Sequence, residues 1–324
     1  MFLLCAALLL AGCASRQEPE DNGKRKIVAT VFPAYDFARA AAGALAEVEL
    51  LLPPGMDSHS YEPTPADILA VQECDLFIYL GGDTDAWVET ILSAVEPQGE
   101  VLRMIDCVEL LREEHVVGMQ NDPGHDHEHD ADCEEEHHHH EEEEHGLGEV
   151  VGMDEHVWTS PKNAADITRA IGETLAELDA ANGESYRTGA ENYAVKLDAL
   201  HGEFERFFEQ RRDRTMVFGD RFPLRYFAEE DDLDYYAAFP GGSTQPEPSA
   251  ATVAFLTDKV RAEGIPTIWY IEFSNHLVAD SIAEAAGVET AMFHTCHNVS
   301  REEMDGGATY LSLMERNLET LKAH

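Results

Sequence analysis

Two isolated histidines are the residues whose surroundings point most directly to chemistry. His59 lies in LLPPGMDSHSYEPTPAD and His156 in GMDEHVWTSPKNA, both loop-forming segments that follow predicted strands. A neutral imidazole is a favoured ligand for borderline divalent cations such as Zn(II). Taken alone, each is more often an ordinary loop histidine, and the surrounding sequence must decide whether it is a metal ligand.

A second set of histidines is concentrated in residues 122–145, where they are interleaved with Asp and Glu and almost no side chain is apolar. A segment of this composition cannot bury enough apolar surface to order itself, so we predict a disordered loop. Eight histidines exceed what solubility requires, which favours metal capture over a merely solvated acidic run. The predicted auxiliary ligands are His125, His127, His129, His137, His138, His139, His140 and His145.

The charge balance limits the class of partner. The chain has 22 basic and 64 acidic residues, a formal net charge of -42. Such a chain repels nucleic acid and attracts cations. We therefore expect no nucleic-acid partner.

The N-terminus has the pattern of an export signal. Residues 2–11 are apolar but too few to span a bilayer, and they end in Leu10-Ala11-Gly12-Cys13. This resembles the bacterial lipobox, whose cysteine receives a diacylglycerol group and becomes the mature N-terminus. Residues 1–13 are thus predicted to be signal peptide and lipobox, and residues 14–26 a tether. The protein would be extracytoplasmic, anchored by lipid to the bacterial cell membrane, at the cell surface or in the periplasm.

Export permits disulfides between the remaining cysteines. Cys74 and Cys107 each flank a predicted strand in the first half of the chain. A bridge between them and two buried free thiols are both compatible with the sequence, because spacing does not fix connectivity.

Short apolar runs alternate with helical patterns from residue 27 onward, which predicts an α/β fold with parallel-rich sheets. Residues 27–183 would form an N-terminal lobe containing the 122–145 loop, and residues 213–324 a C-terminal lobe of four short strands. Between them, residues 184–212 place apolar side chains at steps of three and four, which predicts one amphipathic helix. We interpret it as a rigid link between the lobes, with a coiled-coil partner helix as the alternative. The stripe consists of Tyr186, Ala190, Tyr193, Leu197, Leu200, Phe204 and Phe207.

Two motifs and the last helix carry a family resemblance. The string PGMDSHSYEPTP around His59 closely resembles the first metal-ligand motif of zinc and manganese ABC transporter substrate-binding proteins, and HVWTSP resembles the second. Tyr310, Met314 and Asn317 resemble that family's last helix. The resemblance implies a monomeric receptor that captures Zn(II) in a cleft between two lobes and delivers it to the permease of an ABC importer.

The same resemblance implies a ligand set. His59 and His156 match the first-lobe ligands, but the second lobe departs from the family pattern. Asp220 in GDRFP is the expected oxygen donor there. In FHTCH, His294, Cys296 and His297 are all chemically able to bind metal, and we select His294 because it lies nearest the strand end.

Three other functions are weighed against zinc import. Three imidazoles and one carboxylate suit Zn(II), whereas a receptor for Mn(II) would have more oxygen donors. A metal-buffering protein or a surface lipoprotein acting in cell adhesion is also compatible with the sequence. An enzyme is disfavoured, because the sequence has no HExxH, Gly-x-Ser-x-Gly, P-loop or dinucleotide motif.

Overall fold

The computed structural model describes residues 23–56, 58, 61–82, 85–114, 152–241 and 247–324. Predictions for Cys13, for His59 and for the 122–145 loop with its eight histidines therefore fall outside the described residues.

The first lobe is built on a parallel four-stranded sheet with strand order β2-β1-β3-β4. Each strand is short and is followed by a connection that returns to the same end of the sheet, as parallel pairing requires. The strands are β1 (Arg25–Ala29), β2 (Ala46–Leu50), β3 (Leu76–Tyr79) and β4 (Glu100–Arg103). The helices are α1 (Phe32–Ala42), α2 (Pro65–Glu73), α3 (Ala86–Ala94) and α4 (Pro161–Leu178).

One long helix, α5 (Gly183–Glu209), leads to the second lobe. It has 27 residues, which corresponds to about 40 Å at about 1.5 Å per residue. It ends three residues before the predicted limit of residue 212. Its first half packs closely on the first lobe, where an ideal Cβ on Gly189 would lie 2.5 Å from the carbonyl oxygen of Ala41.

The second lobe repeats the design of the first, with a parallel sheet of strand order β6-β5-β7-β8. Its strands are β5 (Thr215–Phe222), β6 (Asp234–Pro240), β7 (Thr267–Tyr270) and β8 (Glu289–Met292). Its helices are α6 (Arg225–Glu230), α7 (Ala250–Glu263), α8 (Leu277–Ala286), α9 (Arg301–Asp305) and α10 (Tyr310–Ala323). The predicted fold class, two parallel-sheet α/β lobes joined by a long helix, is confirmed.

In the described residues, the largest of three hydrophobic core clusters contains residues of both lobes, and each lobe has a smaller cluster of its own. The ring centroids of Phe204 on α5 and Phe227 on α6 are 5.0 Å apart. Those of Phe37 on α1 and Tyr310 at the start of α10 are 5.1 Å apart. Both pairs join elements of different lobes or of the linking helix, so burial of these rings favours one relative orientation of the lobes.

Cys74 and Cys107 are free thiols with no bridge between them, but only Cys74 is buried as the second sequence alternative required, and Cys107 is half-buried. The Sγ atom of Cys74 is 3.2 Å from the carbonyl oxygen of Val71, and burial raises the pKa of this thiol to about 11. Of the helices in the described ranges, none combines the length and apolarity that crossing a membrane requires.

Candidate metal centre

His156 is a buried imidazole with one ring nitrogen already engaged. Its Nδ1 lies 2.9 Å from Oδ1 of Asp154, and its backbone N–H donates to the same oxygen at 2.8 Å. A carboxylate that accepts from Nδ1–H fixes the tautomer with an unprotonated Nε2, the form that binds metal. Burial lowers the pKa of His156, but the carboxylates of Asp154, Glu155 and Glu113 together raise it by more, so the net shift is upward.

The segment after His156 forms a tight turn that leads directly into a helix. Residues Val157–Thr159 make one turn of 3-10 helix, and the Thr159 hydroxyl donates to the His156 carbonyl oxygen at 2.8 Å. Ser160 then caps α4 by accepting from the Asn163 N–H at 3.1 Å. A Ser N-cap followed by Pro is a strong helix start, so the adjacent residues of the HVWTSP motif set where α4 begins.

Groups from the C-terminal half of the chain hold this turn in place. The indole N–H of Trp158 donates to the Thr295 carbonyl oxygen at 2.9 Å, and the Tyr310 hydroxyl donates to the Trp158 carbonyl oxygen at 2.6 Å. An ideal Cβ on Gly241, after β6, would lie 3.3 Å from Cε1 of His156. The His156 ring therefore lies at the boundary between the two lobes.

His59 lies outside the described residues, but both flanks of its segment are anchored. Upstream, the Asn298 side chain donates to the carbonyl oxygens of Pro53 and Met56 at 2.8 and 2.9 Å. Downstream, the Tyr61 hydroxyl donates to Oδ2 of Asp67 at 2.8 Å. The first two contacts place residues 53–56, which follow the carboxyl end of β2, beside Asn298 of the second lobe.

Acidic groups line the neighbouring edge of the first lobe. Asp85 is buried, and its Oδ2 accepts the Leu80 N–H at 2.6 Å. Burial raises the pKa of Asp85 to about 7, and the nearby Glu155 adds to the rise. Glu155 packs directly on Gly82, where an ideal Cβ would overlap its carboxylate. Only glycine leaves room for this side chain at that point of the loop.

Asp220 lies at the carboxyl end of β5, as the sequence predicted. Its Oδ1 accepts the Arg221 N–H at 2.8 Å and its Oδ2 accepts the Ile271 N–H at 3.4 Å. Both oxygens therefore serve backbone amides, although each carboxylate oxygen keeps further acceptor capacity.

His294, the residue that the sequence selected as a ligand in this segment, is fully buried. It is 0% exposed, and its Nδ1 accepts the Cys296 N–H at 2.9 Å. Its Nε2 lies 3.7 Å from Oε1 of Glu303, which also pairs with Arg316 at 2.7 Å. Nδ1 is thus engaged by a backbone amide, whereas Nε2 is buried without a hydrogen-bond partner among the described residues, because 3.7 Å exceeds hydrogen-bond distance.

His297 is the histidine of this segment that packs against Trp158, which lies two residues after His156 in the HVWTSP motif. Its ring centroid is 5.3 Å from that of Trp158, which is in turn 5.4 Å from that of His156. The chain is redirected between His294 and His297 at Cys296, a buried residue with φ of 63°. The positive φ turns successive side chains to different sides, a feature that no periodic sequence pattern signals.

Within the described ranges, no three His, Cys, Asp or Glu side chains are grouped so that they could hold a metal ion. His156 and His297 flank one indole, whereas His294 lies inside the second lobe.

The parallel sheets, the linking helix and the buried His156 at the lobe boundary define a two-lobed α/β binding protein. A family model described as ZnuA, zinc-uptake complex component A periplasmic, matches residues 27–324. The chain belongs to this family, and the resemblance drawn from its motifs is confirmed.

Individual relatives agree with this membership. The chain is 30% identical over 322 residues to zinc-binding lipoprotein AdcA of Streptococcus pneumoniae, an alignment covering 98% of this chain and 59% of that protein. It is 28% identical to the high-affinity zinc uptake system protein ZnuA of Bacillus subtilis, covering 99% and 96% of the two chains. The crystal structure of the Zn(II)-bound ZnuA-like domain of Streptococcus pneumoniae AdcA superposes with a TM-score of 0.71 at 27% identity, covering 93% and 98%.

Proposed function

We propose that this chain captures Zn(II) in the cleft between its lobes and delivers it to an ABC-type membrane importer. The observation that carries the proposal is the His156 imidazole, held through Nδ1 by Asp154 and positioned at the lobe boundary, in a chain of the zinc-uptake family. A pre-oriented imidazole loses little entropy on binding a metal, which favours tight capture.

The proposed ligands are His59 and His156 from the first lobe and His297 from the second. We prefer His297 to the sequence choice of His294, because His297 packs on Trp158 in the motif of His156, whereas Nδ1 of His294 already accepts the Cys296 N–H. Asp220 is retained as the candidate oxygen donor. Three imidazoles with one oxygen ligand suit tetrahedral Zn(II) better than Mn(II), which prefers more oxygen donors.

The rest of the chain fits a receptor that works outside the cytoplasm. Cys13 is proposed to carry the lipid that tethers the protein to the membrane, and the folded body to act there as a monomer beside its permease. The net charge of -42 raises the local concentration of divalent cations. The histidines of residues 122–145 are proposed to bind further ions weakly. Because the metal is cargo, we propose a binding protein and not an enzyme.

Calorimetric titration with Zn(II) of metal-free protein lacking residues 1–13 tests the proposal. We expect one tight site that survives deletion of residues 122–145 and weakens about a hundredfold or more in His59→Ala, His156→Ala and His297→Ala, because each loses one of the few ligands. His276→Ala, at a half-exposed histidine paired with Asp280, is the control and should bind Zn(II) like the parent.

Titration with Mn(II) tests the choice of metal, and we expect Mn(II) to bind the same site more weakly than Zn(II). If deletion of residues 122–145 abolishes all Zn(II) binding and His156→Ala has no effect, the proposed binding site in the cleft is refuted. A metal-buffering surface protein would then describe the chain better.

A further inference from the structure

Glu272 is a buried carboxylate two residues after β7, outside the proposed ligand set. It is 8% exposed, and both of its oxygens accept hydrogen bonds from one residue, Thr295. The Thr295 N–H donates to Oε2 at 2.7 Å, and the Thr295 hydroxyl donates to Oε1 at 2.5 Å. Nδ1 of His294 lies 3.8 Å from Oε1, which is beyond hydrogen-bond distance. Because burying a carboxylate is costly, packing alone does not explain an acidic residue at this position.

Thr295 joins Glu272 to the segments of two proposed ligands. Its hydroxyl oxygen accepts the backbone N–H of His297 at 3.4 Å, and its carbonyl oxygen accepts the indole N–H of Trp158 at 2.9 Å. The Trp158 ring packs against both imidazoles, with its centroid 5.3 Å from that of His297 and 5.4 Å from that of His156. Every polar group of Thr295 is therefore bonded either to Glu272 or to a segment that carries a proposed ligand.

The backbone around Glu272 is fixed on both sides. The N–H of Ile271, the residue before it, donates to Oδ2 of Asp220 at 3.4 Å. Phe273, the residue after it, has φ of 60°, a left-handed conformation that a residue other than glycine keeps only where its surroundings determine it. The carboxylate is thus presented to Thr295 from a rigid support, which also contacts the candidate oxygen donor Asp220.

The charge of Glu272 sets the direction of the Thr295 hydroxyl. A carboxylate only accepts hydrogen bonds, so the hydroxyl proton points to Glu272 and a lone pair remains for the His297 N–H. A glutamine has the same shape but presents an NH2 donor in place of one acceptor. This donor would either face the Thr295 N–H or turn the hydroxyl proton away from residue 272. Either change disturbs the support of the His297 backbone.

We propose that Glu272 is a positioning residue for zinc capture, which acts through Thr295 on the His297 backbone and on the Trp158 ring. This rests on the proposed function, since only metal capture gives the orientation of the two imidazoles a role. Ligands that are held in place before the ion arrives lose less entropy on binding. Groups that orient metal ligands commonly contribute about 10- to 100-fold to metal affinity.

Calorimetric titration with Zn(II) of the same metal-free protein as above tests this relay. We expect Glu272→Gln to weaken binding about 10- to 100-fold, and Thr295→Val, which removes only the hydroxyl, to weaken it about tenfold. Thr295→Ser keeps the hydroxyl and should bind Zn(II) like the parent. Glu289→Gln, at a carboxylate that is 80% exposed at the start of β8, is the matched control and should also bind like the parent.

Co(II) in place of Zn(II) separates positioning from a merely structural role, because its visible absorption depends on the geometry of its ligands. We expect the absorption bands to shift in Glu272→Gln and Thr295→Val and to match the parent in Thr295→Ser. The unfolding temperature of each metal-free variant is measured alongside. The two Thr295 variants keep the test decisive even where Glu272→Gln does not fold.

Three results overturn the positioning role. One is a lower unfolding temperature in Glu272→Gln with the Zn(II) affinity and Co(II) spectrum of the parent. Another is weakened binding in Glu272→Gln with parent affinity in Thr295→Val, since Glu272 would then not act through the hydroxyl. The third is an equal loss of affinity in Thr295→Ser and Thr295→Val. Absence of tight Zn(II) binding in the parent protein instead refutes the proposed function.

Discussion

Oδ1 of Asp154 lies 2.9 Å from Nδ1 of His156 and also accepts the backbone N–H of that residue. The carbonyl oxygen of Asp154 accepts a hydrogen bond from the Tyr226 hydroxyl of α6 at 2.7 Å. The carboxylate that orients the imidazole is thus itself positioned by the second lobe, which couples the geometry of His156 to the contact between the lobes.

Asp154→Asn should weaken Zn(II) binding about 10- to 100-fold, the usual effect of losing a carboxylate that orients a histidine ligand. The amide still occupies the space but makes the imidazole less basic and less well oriented. Calorimetry measures the change. Asp258→Asn, at an exposed carboxylate on α7, is the matched control, and equal affinities for the two variants would contradict the role of Asp154.

His294→Ala should mainly lower the stability of the protein, whereas His297→Ala should mainly lower its affinity for zinc. His294→Ala leaves the buried Cys296 N–H without its acceptor and creates a cavity, so we expect a loss of about 2–4 kcal/mol in unfolding free energy. His297→Ala should lower zinc affinity with a smaller effect on stability. Thermal unfolding of metal-free protein and zinc titration separate the two, and the reverse pattern would restore His294 as the ligand.

Tyr193→Phe should destabilise the junction of three helices. The Tyr193 hydroxyl on α5 donates to Asp36 of α1 at 2.6 Å and accepts the Leu311 N–H of α10 at 3.1 Å. Removing it leaves buried polar groups short of a partner, at about 1–3 kcal/mol. Denaturant unfolding measures the loss. Tyr35→Phe, on the partly exposed side of α1, should lower the unfolding free energy by less. Equal losses in the two variants would show that the Tyr193 hydroxyl does not stabilise the junction.

Zinc binding should move the lobes only slightly. The helix α5 packs on the first lobe through Gly189 and on the second through Phe204, so wide hinge opening would expose both contacts. We expect X-ray scattering curves with and without Zn(II) to give the same radius of gyration within error. Marked compaction on metal addition would show that the shared core separates in the metal-free protein.

The stability of the protein should fall as pH rises, in part through Asp231. Burial raises the pKa of Asp231 to about 8, and Glu230 and Glu205 add to the rise while Arg214 opposes it. Its folded-state pKa lies above the ordinary value of 3.8, so the folded state binds more protons than the unfolded state between these values. Stability is therefore greatest below this window and decreases across it, by an amount on the order of a few kcal/mol.

Asp231→Asn should flatten this dependence between pH 5 and pH 8, about the window set by the shifted carboxyl. The unfolding temperature is measured across that pH range for the parent and the variant. The quantity compared is the slope of unfolding temperature against pH, and not the absolute stability. Asp232→Asn, at the neighbouring carboxylate that is 94% exposed, should keep the slope of the parent. If Asp231→Asn kept the slope of the parent protein, another titrating group would be the cause of the pH dependence.

The sequence by itself determined the features that arise from local patterns. Alternating strand and helix signals predicted both sheets, because strand and helix periods are properties of neighbouring residues. The apolar stripe from Tyr186 to Phe204 predicted α5, and Ser160 with Pro161 predicted the start of α4. His156 was predicted as a ligand from its resemblance to a family motif, and this remains a prediction.

Only the tertiary structure shows which histidine of FHTCH packs beside the HVWTSP motif. His294 is closer to the strand end, but the chain turns at Cys296, which has a positive φ, and it is the later residue, His297, that packs on Trp158. The free thiols of Cys74 and Cys107 depend in the same way on distances through space. Such choices come from contacts between segments more than a hundred residues apart, such as Trp158 with Thr295, and no local pattern encodes them.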